Sequence, residues 1–330
     1  MPSEFDLIRR HFTRPSTHTD LAAGDDAALV RIAAGRQLAV TTDTLVAGAH
    51  FFPGAAPRDL GWKTLAVNLS DLAAMGAVPR WATLALTLPD IDENWIAAFA
   101  DGFFDCAGRY GVDIVGGDTT RGPLAMTVTL FGEIPAGAAI TRAGGKAGDD
   151  LWVSGQPGLA ALGLACLQGR ARLADTRRAL VALHRPTPRV ELGLALRGLA
   201  HAMLDISDGL AGDLAHMCER SGLGAQLDAA ALPLAALRET GADEILARHC
   251  LLAGGDDYEL LFAAPAAKRE RLAALARRLG LPLTRIGHLT AHAGTMSLRE
   301  ANGDMRALAP SGYDHFAARQ DDPPPASHNE

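Results

Sequence analysis

The chain has 330 residues, 48% of them hydrophobic, and its formal net charge is −7. A chain of this length exceeds what one hydrophobic core usually fills, so two domains of about 140 to 180 residues are expected. The acidic balance, with no basic stripe, argues against general nucleic-acid binding because nothing would neutralise a phosphate backbone.

Strand-like and helix-like segments alternate from residue 38 onward, which is typical of an α/β or α+β fold. The segment LAVTTDT (38–44) is a predicted strand. DLGWKTLAVNLSDLAAMG (59–76) is a predicted helix that ends at Gly76. Its predicted apolar face consists of Leu65, Leu69, Leu72 and Met75. A strand at 81–89, a helix at 93–111 and strands at 112–118 and 124–134 follow.

The Gly- and Ala-rich stretch PAGAAITRAGGKAGDD (135–150) breaks this pattern, and we place the domain boundary there. The N-terminal domain is predicted over 1–137 and the C-terminal domain over 138–318. The second domain is predicted to contain a strand at 151–154, helical segments near 158–168, 174–183 and 189–200, a helix after residue 210, and strands near 258–263 and 283–289. The polar, proline-rich residues 319–330 are predicted to be disordered.

The four cysteines are scattered and form no C-x-x-C pair, so neither a zinc knuckle nor a disulfide framework is predicted. The N-terminal segment MPSEFDLIRRHF has acidic residues and no long apolar core, unlike a signal peptide. No uncharged apolar run reaches about 18 residues, so no membrane span is predicted. We therefore expect a soluble cytoplasmic protein.

Six short motifs place aspartates among small residues without basic neighbours. They are GDDAAL (24–29), TTDT (41–44), NLSDL (68–72), GGDTT (116–120), LDISDGL (204–210) and GGDDYEL (254–260). Converging carboxylates repel one another unless they share a cation. Carboxylate and threonine oxygens favour Mg²⁺ over zinc, and Mg²⁺ usually bridges carboxylates to substrate phosphates. The set predicts a polyphosphate ligand, in a chain that lacks the P-loop and protein-kinase motifs.

Taken singly, each of these aspartates is better explained as a helix cap or a turn former. We expect Asp25 and Asp257 to make such local hydrogen bonds and Asp213 to lie on a solvated helix face. Only the set of six predicts a shared metal site.

Several of these motifs, with the longer segments TTDTLVAGAHF, NLSDLAAMGA, VGGDTTRGP and TRAGGKAGD, resemble the thiamine-monophosphate kinase family of the aminoimidazole ribonucleotide synthetase superfamily. The resemblance runs from residue 24 to GYDHF at 312–316. It implies a two-domain α/β fold, a homodimer in which N-terminal strands pair across the subunits, and an active site in the cleft between the domains. The implied reaction transfers the γ-phosphoryl group of ATP to thiamine monophosphate with the help of several Mg²⁺ ions.

The resemblance also implies the site residues. The metal ligands fall on Asp26, Thr41, Thr42, Asp43, Asp71, Asp118, Asp205 and Asp208. The ATP contacts fall on Tyr110, Gly117, Asp118, Arg142 and Ser207, and the thiamine phosphate contacts on His50 and Asp256. Arg142 is equally well explained as a solvated surface charge, and His50 either donates to the substrate phosphate or fills the end of a hairpin.

Two positions depart from the family pattern. Asp256 stands where the family usually has Glu, so its side chain is one methylene shorter. Pro310 stands where relatives carry Trp, so an aromatic wall against the substrate is either missing or supplied by Tyr313.

The acceptor that the resemblance implies is a phosphate monoester whose second pKa is about 6, so it would be largely ionised at neutral pH and would need no general base. We expect direct in-line transfer without a phosphoenzyme. Asp43 and Asp118 would hold the metal on the donor phosphates, and Asp26, Asp71 and Asp205 the metals nearer the acceptor. His184, His201, His216, His249 and His288 are expected to be structural or surface residues.

Two alternatives remain open. One is another ATP-dependent member of the superfamily, of the aminoimidazole ribonucleotide synthetase, selenophosphate synthetase or hydrogenase-maturation type. The chain has no cysteine before Cys106, whereas selenophosphate synthetase needs a reactive Cys or selenocysteine in its N-terminal segment. The other is a non-catalytic divalent-metal-binding protein, against which the calcium-loop motif is absent.

Overall fold

A computed structural model describes residues 4–22 and 25–313, so the tail at 319–330 lies outside the described residues. The chain starts with helix α1 (Glu4–Leu7) and a π-helical turn (Ile8–Phe12). Strands β1 (Thr19–Leu21) and β2 (Leu29–Val30) then pair antiparallel.

The N-terminal half forms a four-stranded sheet with two long helices. The strands are β3 (Arg36–Val46), β4 (Val78–Leu88), β5 (Asp113–Arg121) and β6 (Ala125–Pro135), in the order β3-β6-β4-β5. The helices are α2 (Pro57–Ala74) and α3 (Glu93–Tyr110). Strands β4 and β5 run parallel, and the other two pairs are antiparallel. All six elements were predicted from the sequence, with bounds that agree to within a few residues.

The two faces of this sheet meet different surroundings because side chains alternate along each strand. Leu84, Met126 and Val128 point to the face that the helices cover and are buried. The opposite face carries Val40, which is 56% exposed, and hydroxyl pairs such as Thr44 with Thr127 at 2.8 Å. One face of the sheet is therefore left uncovered by the described residues.

Helix α2 lies at the centre of the molecule, and Leu65, Leu69 and Leu72 of its predicted apolar face are buried. Residues 60–70 are all buried, polar positions included. The reason is that α2 packs against α3 on one side and against elements of the C-terminal half on the other, so it has no solvent face. The helix ends as predicted, because Gly76 adopts φ 66° and donates its N–H to the Ala73 carbonyl at 2.9 Å.

The C-terminal half forms a seven-stranded mixed sheet. Its strands are β7 (Asp150–Ser154), β8 (Ala202–Ile206), β9 (Gly224–Asp228), β10 (Glu259–Ala264), β11 (Leu283–Thr290), β12 (Met296–Arg299) and β13 (Met305–Ala307). Their order is β13-β12-β9-β11-β7-β10-β8. The prediction identified β7, β10 and β11 but assigned no strand to β9, β12 or β13.

Seven helices accompany this sheet in the described part of the chain: α4 (Leu159–Leu167), α5 (Arg177–His184), α6 (Val190–Leu196), α7 (Leu210–Ser221), α8 (Ala235–Glu239), α9 (Glu244–Ala253) and α10 (Arg269–Leu279). Single turns of 3₁₀ helix lie at Ala229–Ala231 and Ala266–Lys268. The first four were predicted, and the last three were not. None of the described helices combines the length and the apolar character that crossing a membrane requires.

Buried apolar side chains of the two halves meet in one cluster. Leu65 and Leu69 of α2 belong to it together with Met203 of β8 and Phe262 of β10. A two-domain α/β fold is therefore confirmed, with α2 packed between the two sheets.

Candidate active site

A cavity of about 650 Å³ lies where α2 and the end of β3 meet loops of the C-terminal half. From the N-terminal half, Asp43 and Asp71 line it. From the C-terminal half, Asp205 at the end of β8 and the loops after β8 and before β10 line it. The predicted site residues in its wall are Thr42, Asp43, His50, Asp71, Asp205, Ser207, Asp208, Asp256 and Tyr313.

Three of these acids, the buried Asp205 and the half-buried Asp43 and Asp71, lie close together with little positive charge to compensate them. Burial and the neighbouring carboxylate of Asp71 raise the pKa of Asp43 to about 7. Burial also raises the pKa of Asp71, although the Thr41 hydroxyl donates to it and the charge of Arg142 acts in the opposite direction. Asp205 is only 4% exposed, and burial followed by the charge of Asp71 raises its pKa well above the ordinary value. Carboxylates in this state bind either protons or a cation.

The donor set fits Mg²⁺ by its chemistry. Within the described residues, no three acidic, histidine or cysteine side chains stand close enough to form a finished metal site. Mg²⁺ does not require one, because it keeps several waters and usually takes one or two carboxylates together with phosphate oxygens. The carboxylates of Asp43, Asp71 and Asp205 have little compensating charge and face a cavity large enough for phosphates, so they match this mode of Mg²⁺ binding.

Asp213 holds the loop that carries two of the predicted site residues, and its prediction as a solvated residue is wrong. It is 4% exposed, and its Oδ2 accepts the backbone N–H groups of Ser207, Asp208 and Gly209, each at 3.1 Å. Burial and the charge of Asp208 raise its pKa to about 7. An acid in the first turn of a helix after a glycine loop is the sequence signal that indicates this role.

The local hydrogen bond predicted for Asp25 is confirmed, whereas Asp257 caps a helix that is distant in the sequence. The Oδ1 atom of Asp25 accepts the backbone N–H of Asp26 at 2.9 Å. Asp257 accepts the N–H of Gly158 at 2.7 Å and that of Ala160 at 3.4 Å, at the beginning of α4. In these two motifs, GDDAAL and GGDDYEL, one aspartate therefore accepts hydrogen bonds from backbone N–H groups.

The prediction missed a buried lysine in the cavity wall. Lys63, on α2, forms an ion pair with Asp256 and donates to the Leu183 carbonyl at 3.0 Å. His184, expected to be a structural or surface residue, also lines the cavity there. The signal in the sequence is the spacing of Asp59, Lys63 and Asp71, since residues four apart share one face of a helix.

Gly117 and Asp118 lie on the strand at the other edge of the sheet. The register places Asp43, Val128, Leu84 and Gly117 in one row across the sheet. Three strand spacings separate the ends of this row, so Gly117 stands about 14 Å from Asp43 in the same chain. Asp118, the next residue, points to the opposite, uncovered face and is exposed. A single chain therefore does not bring Asp43 and Asp118 to one metal ion.

Thr41, which donates to Asp71, and three other predicted residues do not line the cavity as the described residues form it. Asp26 is exposed in the segment before β2. The Tyr110 hydroxyl donates to the Pro188 carbonyl at 3.3 Å, and its ring meets Trp62 edge-on. Arg142 is exposed, but its charge acts on Asp71, so it lies on the acidic side of the cavity. The roles of all four stay predictions.

The two remaining substrate residues stand at the rim. His50 accepts the Val46 N–H on Nδ1 at 3.0 Å, which leaves Nε2 as the protonated nitrogen of the neutral ring. Tyr313 lines the cavity, and its backbone N–H donates to the Asp208 carbonyl at 3.0 Å. An aromatic side chain therefore stands at the cavity although Pro310 replaces the expected Trp.

Comparisons with known proteins agree with this architecture. The chain matches the family described as AIR synthase related protein, with its N-terminal domain at residues 24–134 and its C-terminal domain at residues 146–297. It is 48% identical over 321 residues to the thiamine-monophosphate kinase of Escherichia coli, and the alignment covers 95% of this chain and 98% of that protein.

Solved structures give the same picture. The thiamine-monophosphate kinase from Stenotrophomonas maltophilia superposes with a TM-score of 0.81 at 49% identity, over 88% of this chain and 92% of that one. A structure described as AaThiL complexed with AMPPCP and TMP superposes with a TM-score of 0.74 at 29% identity, over 94% of this chain and 96% of that one.

Proposed function

The chain belongs to the AIR synthase related family and, within it, to the thiamine-monophosphate kinases, and we propose that it transfers the γ-phosphoryl group of ATP to thiamine monophosphate. The products are thiamine diphosphate and ADP. The observation in the structure that carries this function is the meeting of Asp43, Asp71 and Asp205 in one cavity without compensating charge.

Mg²⁺, when bound, supplies the positive charge that lets two polyanionic esters approach and that stabilises charge on the transferred group. Asp43 and Asp71 would hold it from the N-terminal half, and Asp205 and Asp208 from the C-terminal half. Asp213 fixes the backbone from Ser207 to Gly209, so the Asp208 side chain starts from a rigid position. The acceptor phosphate is already ionised, so these residues bind and align the two esters and no side chain needs to remove a proton.

We further infer that the enzyme is a homodimer in which the partner subunit's Asp118 completes the site. Among the described residues no strand pairs with the outer edge of β3 or of β5, and long free edges are normally paired or covered. Pairing β3 with the partner's β5 brings the partner subunit's Asp118 to the edge of the sheet at which Asp43 stands, because Asp118 directly follows Gly117, which is in the same row as Asp43. It also buries the exposed face that carries Val40.

Mixing two inactive variants tests this arrangement. Asp43→Asn and Asp118→Asn are each expected to be inactive, but their heterodimer contains one complete site. Unfolding and refolding them together should restore about a quarter of the wild-type activity, as random pairing of two chains requires. No restoration would show that both aspartates act within one chain.

The reaction itself is tested by ADP release, coupled to a detection enzyme, with thiamine monophosphate, aminoimidazole precursors or selenide as the acceptor. Release is expected with thiamine monophosphate and only when Mg²⁺ is present. A preference for either other acceptor would instead favour another member of the superfamily. A cytoplasmic location, expected from the unpaired cysteines, stays a prediction.

A further inference from the structure

Helix α2 spans the cavity from one end to the other. Lys63 and Asp71 both line the cavity and are eight residues apart, so they share one helix face. At a rise of 1.5 Å per residue, they stand about 12 Å apart along the axis. If Asp71 marks the end that takes the phosphates, Lys63 marks the end that takes the part of the substrate farthest from its phosphate.

Lys63 is a buried donor with spare capacity. Its side chain is 5% exposed, and its ammonium bonds to Asp256 and to the Leu183 carbonyl. An ammonium has three N–H groups, so one has no acceptor among the described residues. Burying such a group is unfavourable unless its hydrogen bonds are completed, which a ligand in the cavity can do.

The partner of Lys63 is held in an unusual backbone conformation. Asp256 has φ 72° and Tyr258 has φ 55°, and they are the two residues other than glycine with positive φ in the described part of the chain. The Asp256 N–H donates to the Ser207 carbonyl at 2.7 Å. Strained residues that the surrounding structure holds in place are typical of ligand sites.

The charges at this end of the cavity cancel. Lys63 is matched by Asp256, and Asp59 pairs with Arg185 at 3.2 Å. Burial, followed by the charge of Lys63, lowers the pKa of His184, so its ring is neutral near pH 7. The end of the cavity at Lys63 has no net charge and therefore suits an uncharged polar group of a ligand, in contrast to the acidic end at Asp71.

We propose that Lys63 is a specificity-determining residue that, with Asp256, recognises the edge of an aminopyrimidine ring. The exocyclic amine donates to the Asp256 carboxylate, and the adjacent ring nitrogen accepts the third N–H of Lys63. Thiamine monophosphate carries such a ring at the end opposite its phosphate, which matches the separation of Lys63 from Asp71. This inference rests on the proposed function.

Binding measurements on Lys63→Met test the proposal. The dissociation constants of thiamine monophosphate and of its thiazole phosphate fragment, which lacks the pyrimidine, are measured by calorimetry with Mg²⁺ and a non-hydrolysable ATP analogue. The variant should bind thiamine monophosphate about 10- to 100-fold more weakly, as expected for loss of a charged hydrogen bond, and the fragment within about 3-fold of wild type. Lys268→Met, which removes a lysine outside the cavity wall, is the matched control and should change neither constant.

Equal weakening of both ligands, or no weakening of either, would overturn the proposal. If Lys63→Met does not fold, the double variant Lys63→Met/Asp256→Asn removes both charges and should show the same selective loss. Oxythiamine monophosphate, with a carbonyl in place of the amine, should bind the wild type at least about 10-fold more weakly than thiamine monophosphate. Equal binding of the two would also overturn the proposal. A wild type that releases no ADP with thiamine monophosphate would overturn the proposed function itself, and this result needs no variant.

Discussion

Two groups of buried acids in this molecule meet opposite environments. Glu259 accepts from Nε and Nη2 of Arg189 at 2.6 and 2.5 Å, and Asp150 accepts from Nε and Nη2 of Arg269 at 2.6 and 2.7 Å. Arg269 and Arg285 hold the pKa of Asp150 below its ordinary value although burial acts to raise it. In the cavity, Asp43, Asp71 and Asp205 form no such ion pair with any described residue, and burial raises the pKa of each.

The difference separates structural acids from site acids. An acid that the chain itself compensates is complete when the protein folds, and it contributes to the fold. An acid that the chain leaves uncompensated lowers stability until a cation arrives, which is a cost that functional sites commonly carry. Sequence motifs alone do not show this difference, because the arginines come from distant segments.

The largest effect is expected from Asp71→Asn. The variant should lose about 10³-fold or more in kcat because a metal-holding carboxylate is removed. Its free energy of unfolding, measured by denaturant titration without Mg²⁺, should not fall, because Asp71 forms no ion pair in the described part of the chain. A variant that is destabilised by several kcal/mol would place Asp71 among the structural acids.

Arg189→Met should have the opposite effects, lowering the free energy of unfolding while leaving kcat nearly unchanged. Removing one partner of a buried pair leaves Glu259 uncompensated, and the free energy of unfolding should fall by about 3 to 5 kcal/mol. The kcat per folded molecule should stay near that of the wild type, since neither residue lines the cavity. The double variant Arg189→Met/Glu259→Gln, which removes both charges, should recover part of the loss, and no recovery would contradict the pairing.

The sequence predicted the elements that carry the acids better than it predicted their partners. β3, α2 and β4 were found because their apolar periodicity is local. Lys63 and Asp213 were missed because their roles depend on contacts with Asp256 and with the backbone at residues 207–209, which the fold creates. The helices α8, α9 and α10 were also not predicted, although α9 buries Ala247, Cys250 and Leu251 at helical spacing. The apolar face of α2 was predicted, but the burial of its polar positions was not, because that burial results from packing between the two sheets.

Addition of Mg²⁺ should stabilise the wild type. A ligand that binds only the folded state raises the free energy of unfolding by about 2.7 kcal/mol at 100 times its dissociation constant. Thermal unfolding with and without Mg²⁺ and an ATP analogue measures this shift, with Ca²⁺ as a second cation. The shift should be largely lost in Asp43→Asn but kept in Glu259→Gln relative to its own metal-free state. An equal shift in Asp43→Asn would contradict its role as a ligand.

The smallest effect is expected at Asp113, which is compensated without arginine. Burial alone would raise its pKa, but hydrogen bonds from Thr17, His18 and Thr19 hold the pKa below its ordinary value of 3.8. Because the folded-state pKa is depressed, the stability that this carboxylate contributes is present above pH 3.8 and is lost as the pH falls through the folded-state pKa. Asp113→Asn should therefore lower the free energy of unfolding by about 1 kcal/mol at pH 7.

The difference between Asp113→Asn and wild type should shrink as the pH falls below 3.8, because the carboxyl then takes up a proton in the unfolded chain, and it should be lost once the pH is below the depressed folded-state pKa. Denaturant titrations of both proteins at pH 7 and at successively lower pH measure it. These hydrogen bonds join β5 to the segment before β1, so kcat at pH 7 should stay unchanged. A difference that grows on acidification would mean that Asp113 belongs with the acids of raised pKa, and hydrogen bonds from backbone and hydroxyl groups would then not suffice to make a buried acid structural.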